Sequence, residues 1–129
     1  MILDINNGEI SNLLSKAAKN IEINSVGLET CNGKEQAHRL LSCLFQSFPD
    51  LFIDPLTFLS NDDKDGIIMS EVNLQGRQMG WLNGNPPHGK KFSINSVLVF
   101  EFDEYMKVKI IRIYYDLRLI YRQLEILKF

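Results

Sequence analysis

From Gly66 to Asp116 the chain alternates with a period of two, and this half of the sequence limits what the rest can become. In "GIIMSEVNLQGRQMGWLNG" the even positions Ile68, Val72, Leu74 and Leu82 share a face that also carries Gln78. In "KFSINSVLVFEF" Phe92, Ile94, Leu98, Phe100 and Phe102 share a face, and in "KVKIIRIYYD" Val108, Ile110 and Tyr114 share one with Arg112 and Asp116. Successive side chains of a strand point to opposite sides, so these segments read as three long strands, each with one mostly apolar face. Those faces need cover, and the first half of the chain supplies helices. "EISNLLSKAAKN" places Ile10, Leu13, Leu14, Ala17 and Ala18 at helical spacing, and "KEQAHRLLSCLFQSF" forms one stripe from Ala37, Leu40, Leu41, Leu44, Phe45 and Phe48 before Pro49 closes it. "IEINSV" and "DPLTFLS" read as shorter strands, and "NDDKDG" as a hairpin turn, because Asp65-Gly66 suits a turn that needs φ > 0.

The result is one α+β domain over residues 1–129, without linker or repeat. With 23% charged residues and a net charge of −2, scattered Lys and Arg leave no electrostatic footprint for nucleic acid. No apolar run approaches the roughly 20 residues that span a bilayer. The start "MILDINNGEI" is not a signal peptide, so a cytoplasmic protein without membrane contact is expected. Cys31 and Cys43 sit in no C-x-x-C or Cys/His cluster, and no phosphate-binding loop occurs, so neither metal nor cofactor is expected. "WLNGNPPHGKK" puts Pro86 and Pro87, which restrict φ, between Gly84 and Gly89, which turn freely; it reads as a rigid corner between two strands, with His88 in solvent.

The buried face assigned above holds three polar residues, Gln78, Arg112 and Asp116, and polar groups on a core face call for a reason. The segment from Gly33 to Glu125 resembles the SnoaL-like polyketide cyclase or ester cyclase family, within the NTF2-like and ketosteroid-isomerase-like cone fold. The resemblance rests on "GKEQA" opening a helix, "FPDL" ending it, "GRQMGWLNGNPPHGKK" and "YYDLRLIYRQL". Relatives have a Gly-x-His-x-Gly run, a Gly-x-Pro-Pro-x-Gly-Arg corner, and a strand ending in Asp with Gln-Leu seven residues later. Gly76, Gly80, Gly84, Pro86, Pro87, Gly89, Asp116 and Gln123-Leu124 fall at the matching places.

That resemblance implies a curved, mostly antiparallel sheet wrapped around amino-terminal helices. It also implies a small apolar or aromatic ligand in the cone, bound by Gln78, Leu82, Phe100, Arg112 and Tyr114, with Asp116 as the general acid/base of a cofactor-independent cyclisation or isomerisation. A carboxyl group desolvated among aromatic walls exchanges protons near neutral pH. Gln78 replaces the family histidine and serves as an orienting or oxyanion donor without exchanging a proton. The residues themselves leave a second role open for Asp116, as N-cap of a helix starting at Leu117. A non-catalytic ligand-binding or assembly module on the same cone is the alternative function. The resemblance also implies a long helix before the segment that "NNGEISNLLSKAAKN" resembles, and only "MILDI" precedes it here, so a shortened first helix is expected; Met69, Met79, Trp81, Val97 and Val99 are expected to form an outer apolar face for a homodimer. Met106 stands where relatives have Gly, which a shift of turn type accommodates.

Overall fold

The alternating half of the chain supplies three of the sheet's six strands. In the computed structural model, residues 2–25, 30–60 and 66–126 are described; of the turn expected over residues 61–66, only Gly66 is among them, with the positive φ of +57° expected of it. Helices α1 (Ile2–Asn6) and α2 (Ile10–Ser15) lead into strand β1 (Ala17–Ser25). The short strand β2 (Cys31–Asn32) precedes α3 (Gly33–Ser47), followed by strands β3 (Phe52–Ser60), β4 (Ile67–Arg77), β5 (Lys91–Phe102) and β6 (Val108–Tyr114), and by α4 (Leu117–Gln123). The strands form one sheet in the order β2-β1-β6-β5-β4-β3, antiparallel except where β1 runs parallel to β6. Strands β1 and β3 to β6 line one common cavity with α3 and α4, as a sheet does when it curls around its helices.

The helix expected over "EISNLLSKAAKN" stops at Ser15, and Ala17 and Ala18 open β1 instead. Ile21 and Ile23 are buried while their neighbours alternate outward, and Ala17 pairs with Val108 of β6. A strand that completes the sheet outweighs the helical propensity of two alanines. Helix α3 matches its stripe: Ala37 and Leu41 are buried, and Leu40 and Phe45 pack beside them.

Two side-chain amides finish strand edges that would otherwise be bare. The Asn6 amide donates to the Ile53 carbonyl at 2.9 Å and its oxygen accepts from Ile53 N–H at 2.7 Å, closing one rung of edge strand β3. Gln123 of α4 does the same for β5, accepting from Ser93 N–H at 2.6 Å and donating to the Ser93 carbonyl at 3.1 Å. Each amide imitates a peptide group where the neighbouring strand has ended, and so satisfies a backbone pair.

The β5–β6 hairpin decides which side chains reach the interior. Phe102 pairs with Val108, but Glu101 pairs with Ile110, so Lys109 is an extra residue in β6. Such a bulge shifts the alternation by one. Val108 and Ile111 are therefore both buried, although three positions apart. In the turn before it, Met106 takes φ of +62° while Asp103 accepts from the amides of Tyr105 and Lys107. Met106 adopts the left-handed conformation itself, at about 1 kcal/mol.

Candidate ligand cavity

Gln78 is fully buried just beyond β4. Its amide nitrogen donates toward the carbonyls of Gly80, Asn85 and Pro86 at 3.2 to 3.3 Å. Its backbone pairs with Lys90 and Gly89 across the corner. Three converging carbonyls call for a group with two N–H bonds on one atom, which a primary amide has and a neutral imidazole lacks. Gln78 Oε1 is buried with no partner among the described residues. Gln78 thus knits the corner from behind and is not among the cavity-lining residues.

The reversal itself lies at Asn83-Gly84 rather than at the prolines. Both residues have positive φ, +47° and +80°, and Leu82 and Asn85 exchange backbone hydrogen bonds of 3.0 and 2.8 Å. Two left-handed central residues define a type I′ turn, for which Asn-Gly is the favoured pair. The segment before it docks on the end of α3: the Ser47 carbonyl accepts from Met79 and Gly80, and Ser47 Oγ donates to the Trp81 carbonyl at 2.7 Å. A Cβ on Gly80 would stand 2.1 Å from the Gln46 carbonyl oxygen, so only glycine permits this approach.

Between α3, α4 and the concave face of the sheet lies a cavity of about 530 Å³. Its walls are aliphatic and aromatic, with Leu40, Leu41 and Leu44 from α3 opposite Leu98, Phe100 and Ile111 from the sheet. Phe48 and Phe92 meet edge to face with ring centroids 5.0 Å apart. Four lining residues, Cys43, Gln46, Trp81 and Asn83, are also exposed and so mark the mouth. Trp81 is held by its backbone while its side chain keeps the residue 67% exposed.

Of the residues expected at the site, Leu82 and Phe100 line the cavity. Arg112, Tyr114 and Asp116 do not, which corrects the face assigned to β6: the bulge at Lys109 carries these even positions to the outside. Arg112 forms an ion pair with Glu101, and Tyr114 is 51% exposed. The Asp116 side chain is 47% exposed; its carboxylate accepts from Arg118 N–H at 2.9 Å and stands 3.8 Å from Arg118 Nε. It is the N-cap of α4 and does not sit among Tyr114, Phe100 and Leu82. The outer face also needs revision. Met69 pairs with Val99 on the outer side of the sheet, but Met79 and Trp81 belong to the corner, and Trp81 faces the cavity.

The cavity takes Ile111, Ile113 and Tyr115 from the β6 segment, along with Ser25 from β1. The odd positions of "IIRIYYD" are uniformly apolar or aromatic, and that cleaner phase was the available signal. Ser25 Oγ lies 3.1 Å from the Tyr115 hydroxyl. Among the described residues that line the cavity there is no Asp, Glu, His, Lys or Arg.

A proposed SnoaL-like polyketide cyclase from a Jannaschia species is similar in structure, with a TM-score of 0.83 at 20% identity, over 95% of this chain and 83% of that one. A proposed polyketide cyclase from Pseudomonas putida gives 0.86 at 15% identity, over 95% and 90%. An LEH-like epoxide hydrolase from M. tuberculosis gives 0.74 at 12% identity, over 96% and 83%. These likenesses establish the NTF2-like cone, which hosts more than one chemistry. No curated protein matches the sequence. The profile of the SnoaL-like polyketide cyclase family matches residues 1–124, nearly the whole chain, which therefore belongs to that family.

Proposed function

We propose that this chain binds a small, neutral, largely apolar molecule inside the cone. The observation that supports this reading is the lining: a cavity of about 530 Å³ with apolar walls and no carboxylate, imidazole or cation among its described lining residues. Desolvating apolar ligand surface against such walls is the driving force, and the few polar groups fix orientation. A charged ligand would meet no countercharge there.

The family match favours a second reading, a cyclase or isomerase acting on a ketone-type substrate. In that reading the acid/base group is not Asp116 as it stands, because its carboxylate is outside the cavity and committed to the first turn of α4. Among the described lining residues the proton-bearing groups nearest this role are the hydroxyls of Tyr115 and its partner Ser25. Self-association through the outer sheet face around Met69 and Val97 accompanies either reading, Val99 being buried within the chain itself; a monomer in light scattering across micromolar concentrations removes it.

The binding proposal is tested with N-phenyl-1-naphthylamine, a neutral dye that brightens in apolar surroundings. The intact protein is expected to give saturable enhancement, and Ile113→Trp, which fills the cavity from the sheet side, to lose it while keeping a cooperative thermal melt. Equal enhancement by the filled variant, or none by the parent, overturns the proposal.

A further inference from the structure

The cavity's polar groups differ in what they are already bonded to. Ser47 Oγ donates to the Trp81 carbonyl at 2.7 Å, and Asn83 Nδ2 donates to the Tyr121 hydroxyl at 2.8 Å. Cys43 and Gln46 are exposed at the mouth. What remains in the interior is the Ser25–Tyr115 pair, at 3.1 Å. Two hydroxyls bring two protons, and the bond between them uses one. Whichever hydroxyl donates, the other proton has no acceptor among the described residues.

The two residues are brought together from distant parts of the sequence by the parallel pairing of β1 with β6, in which Ser25 stands opposite Ile113. Tyr115 follows two positions later on the same face, just before the chain turns into α4. Its ring packs against the cluster of Phe48, Phe92, Ile94 and Ile120, so the hydroxyl is held on a fixed arm.

The geometry points to the Ser25–Tyr115 hydroxyl pair as the anchor that selects, among apolar molecules entering the cone, those with one neutral acceptor oxygen such as a ketone. This rests on the binding proposal above and adds the specificity. An uncommitted donor in an apolar wall favours an acceptor strongly, because the alternative is an unpaired polar group. With no described cation in the lining, a carboxylate gains the same hydrogen bond but loses its hydration without compensation.

The test compares 1-tetralone with tetralin, its counterpart lacking the oxygen, by isothermal titration calorimetry on the full chain. Tyr115→Phe removes the hydroxyl and keeps the ring. It is expected to raise the Kd for 1-tetralone about fivefold and leave that for tetralin within about twofold, the range of one hydrogen bond. Ser25→Ala, which leaves the tyrosine hydroxyl in place, is expected to have the smaller effect on 1-tetralone. In the unaltered protein, the carbonyl ¹³C resonance of bound 1-tetralone is expected downfield of its position in hexane, a readout independent of whether Tyr115→Phe folds. Tetralin binding with 1-tetralone unaffected by Tyr115→Phe, equal weakening of both probes, or a carbonyl resonance at its hexane position overturns the anchor and leaves the apolar site standing. Failure of both probes to bind the parent protein overturns the site itself.

Discussion

Strands β5 and β6 form one hairpin, yet they obey the rule of alternation differently. Along β5 one phase holds from end to end: Phe92, Ile94, Ser96, Leu98 and Phe100 are all buried. Along β6 the phase breaks at Lys109, so Val108 and Ile111 both face inward. Counting from Val108 therefore assigns Arg112, Tyr114 and Asp116 to the cavity, and counting from Ile111 assigns Ile113 and Tyr115. A two-residue period locates a face only up to the first bulge, and one inserted residue exchanges every side chain beyond it. For this protein the exchange puts a phenol, and not a carboxylate, on the cavity wall.

Deleting Lys109 is the largest challenge to this comparison. The hairpin would lose the residue that reconciles its turn with the pairing of β6 to β1, and Ile111 and Ile113 could not all keep their places. A loss of about 3 kcal/mol or more is expected in urea denaturation; stability within about 0.5 kcal/mol of the parent would remove the bulge as the cause. Adjacent substitutions then separate the two faces. Ile111→Asn buries an unpaired amide and is expected to cost about 3 kcal/mol, whereas Ile110→Asn, on the outer side, is expected to cost under about 1 kcal/mol. Equal losses would mean that the face assignment is wrong.

At the other end of β5 the corner offers a sharper steric test. Gly80→Ala places a methyl group against the backbone of α3 and is expected to cost about 2 kcal/mol. The same change should shift the fluorescence of Trp81, the chain's single tryptophan, as the mouth moves. An unchanged spectrum would show that the corner does not depend on that contact.

The smallest effects concern Asp116. Asp116→Ala is expected to lower stability by about 1 kcal/mol, and Asp116→Asn by only a few tenths, because asparagine caps as well as aspartate. Dye binding should survive both, and losing it in either variant with the melt intact would return Asp116 to the site.

How much of this was legible beforehand varies from segment to segment. The α3 stripe and the single phase of β5 could be read directly, since 3.6 and 2 are periods imposed by local geometry. The Asn83-Gly84 turn is also legible as a dipeptide, since Asn-Gly is the favoured pair for two left-handed residues, whereas the neighbouring prolines only fix φ beside it. The boundary between α2 and β1 was not, because Ala17 and Ala18 suit either element and a partner strand from the far end of the chain decided between them. Gln78 could be seen to be unusual on an apolar face, but not that three carbonyls would converge on its amide.

The sequence by itself determined the class of fold, the number of long strands in the carboxyl-terminal half, the corner between β4 and β5, and the residue able to cap α4. These follow from dihedral preferences and side-chain periods that act over a few neighbours. Tertiary structure alone decided which face of β6 looks inward, that Ser25 meets Tyr115, and that Asp116 stays outside. Those outcomes depend on a register shift and on strand pairings across some ninety residues, as in the Ser25–Tyr115 bond with its separation of 90. The free energy of such pairings is shared over the whole sheet, and no local window contains it.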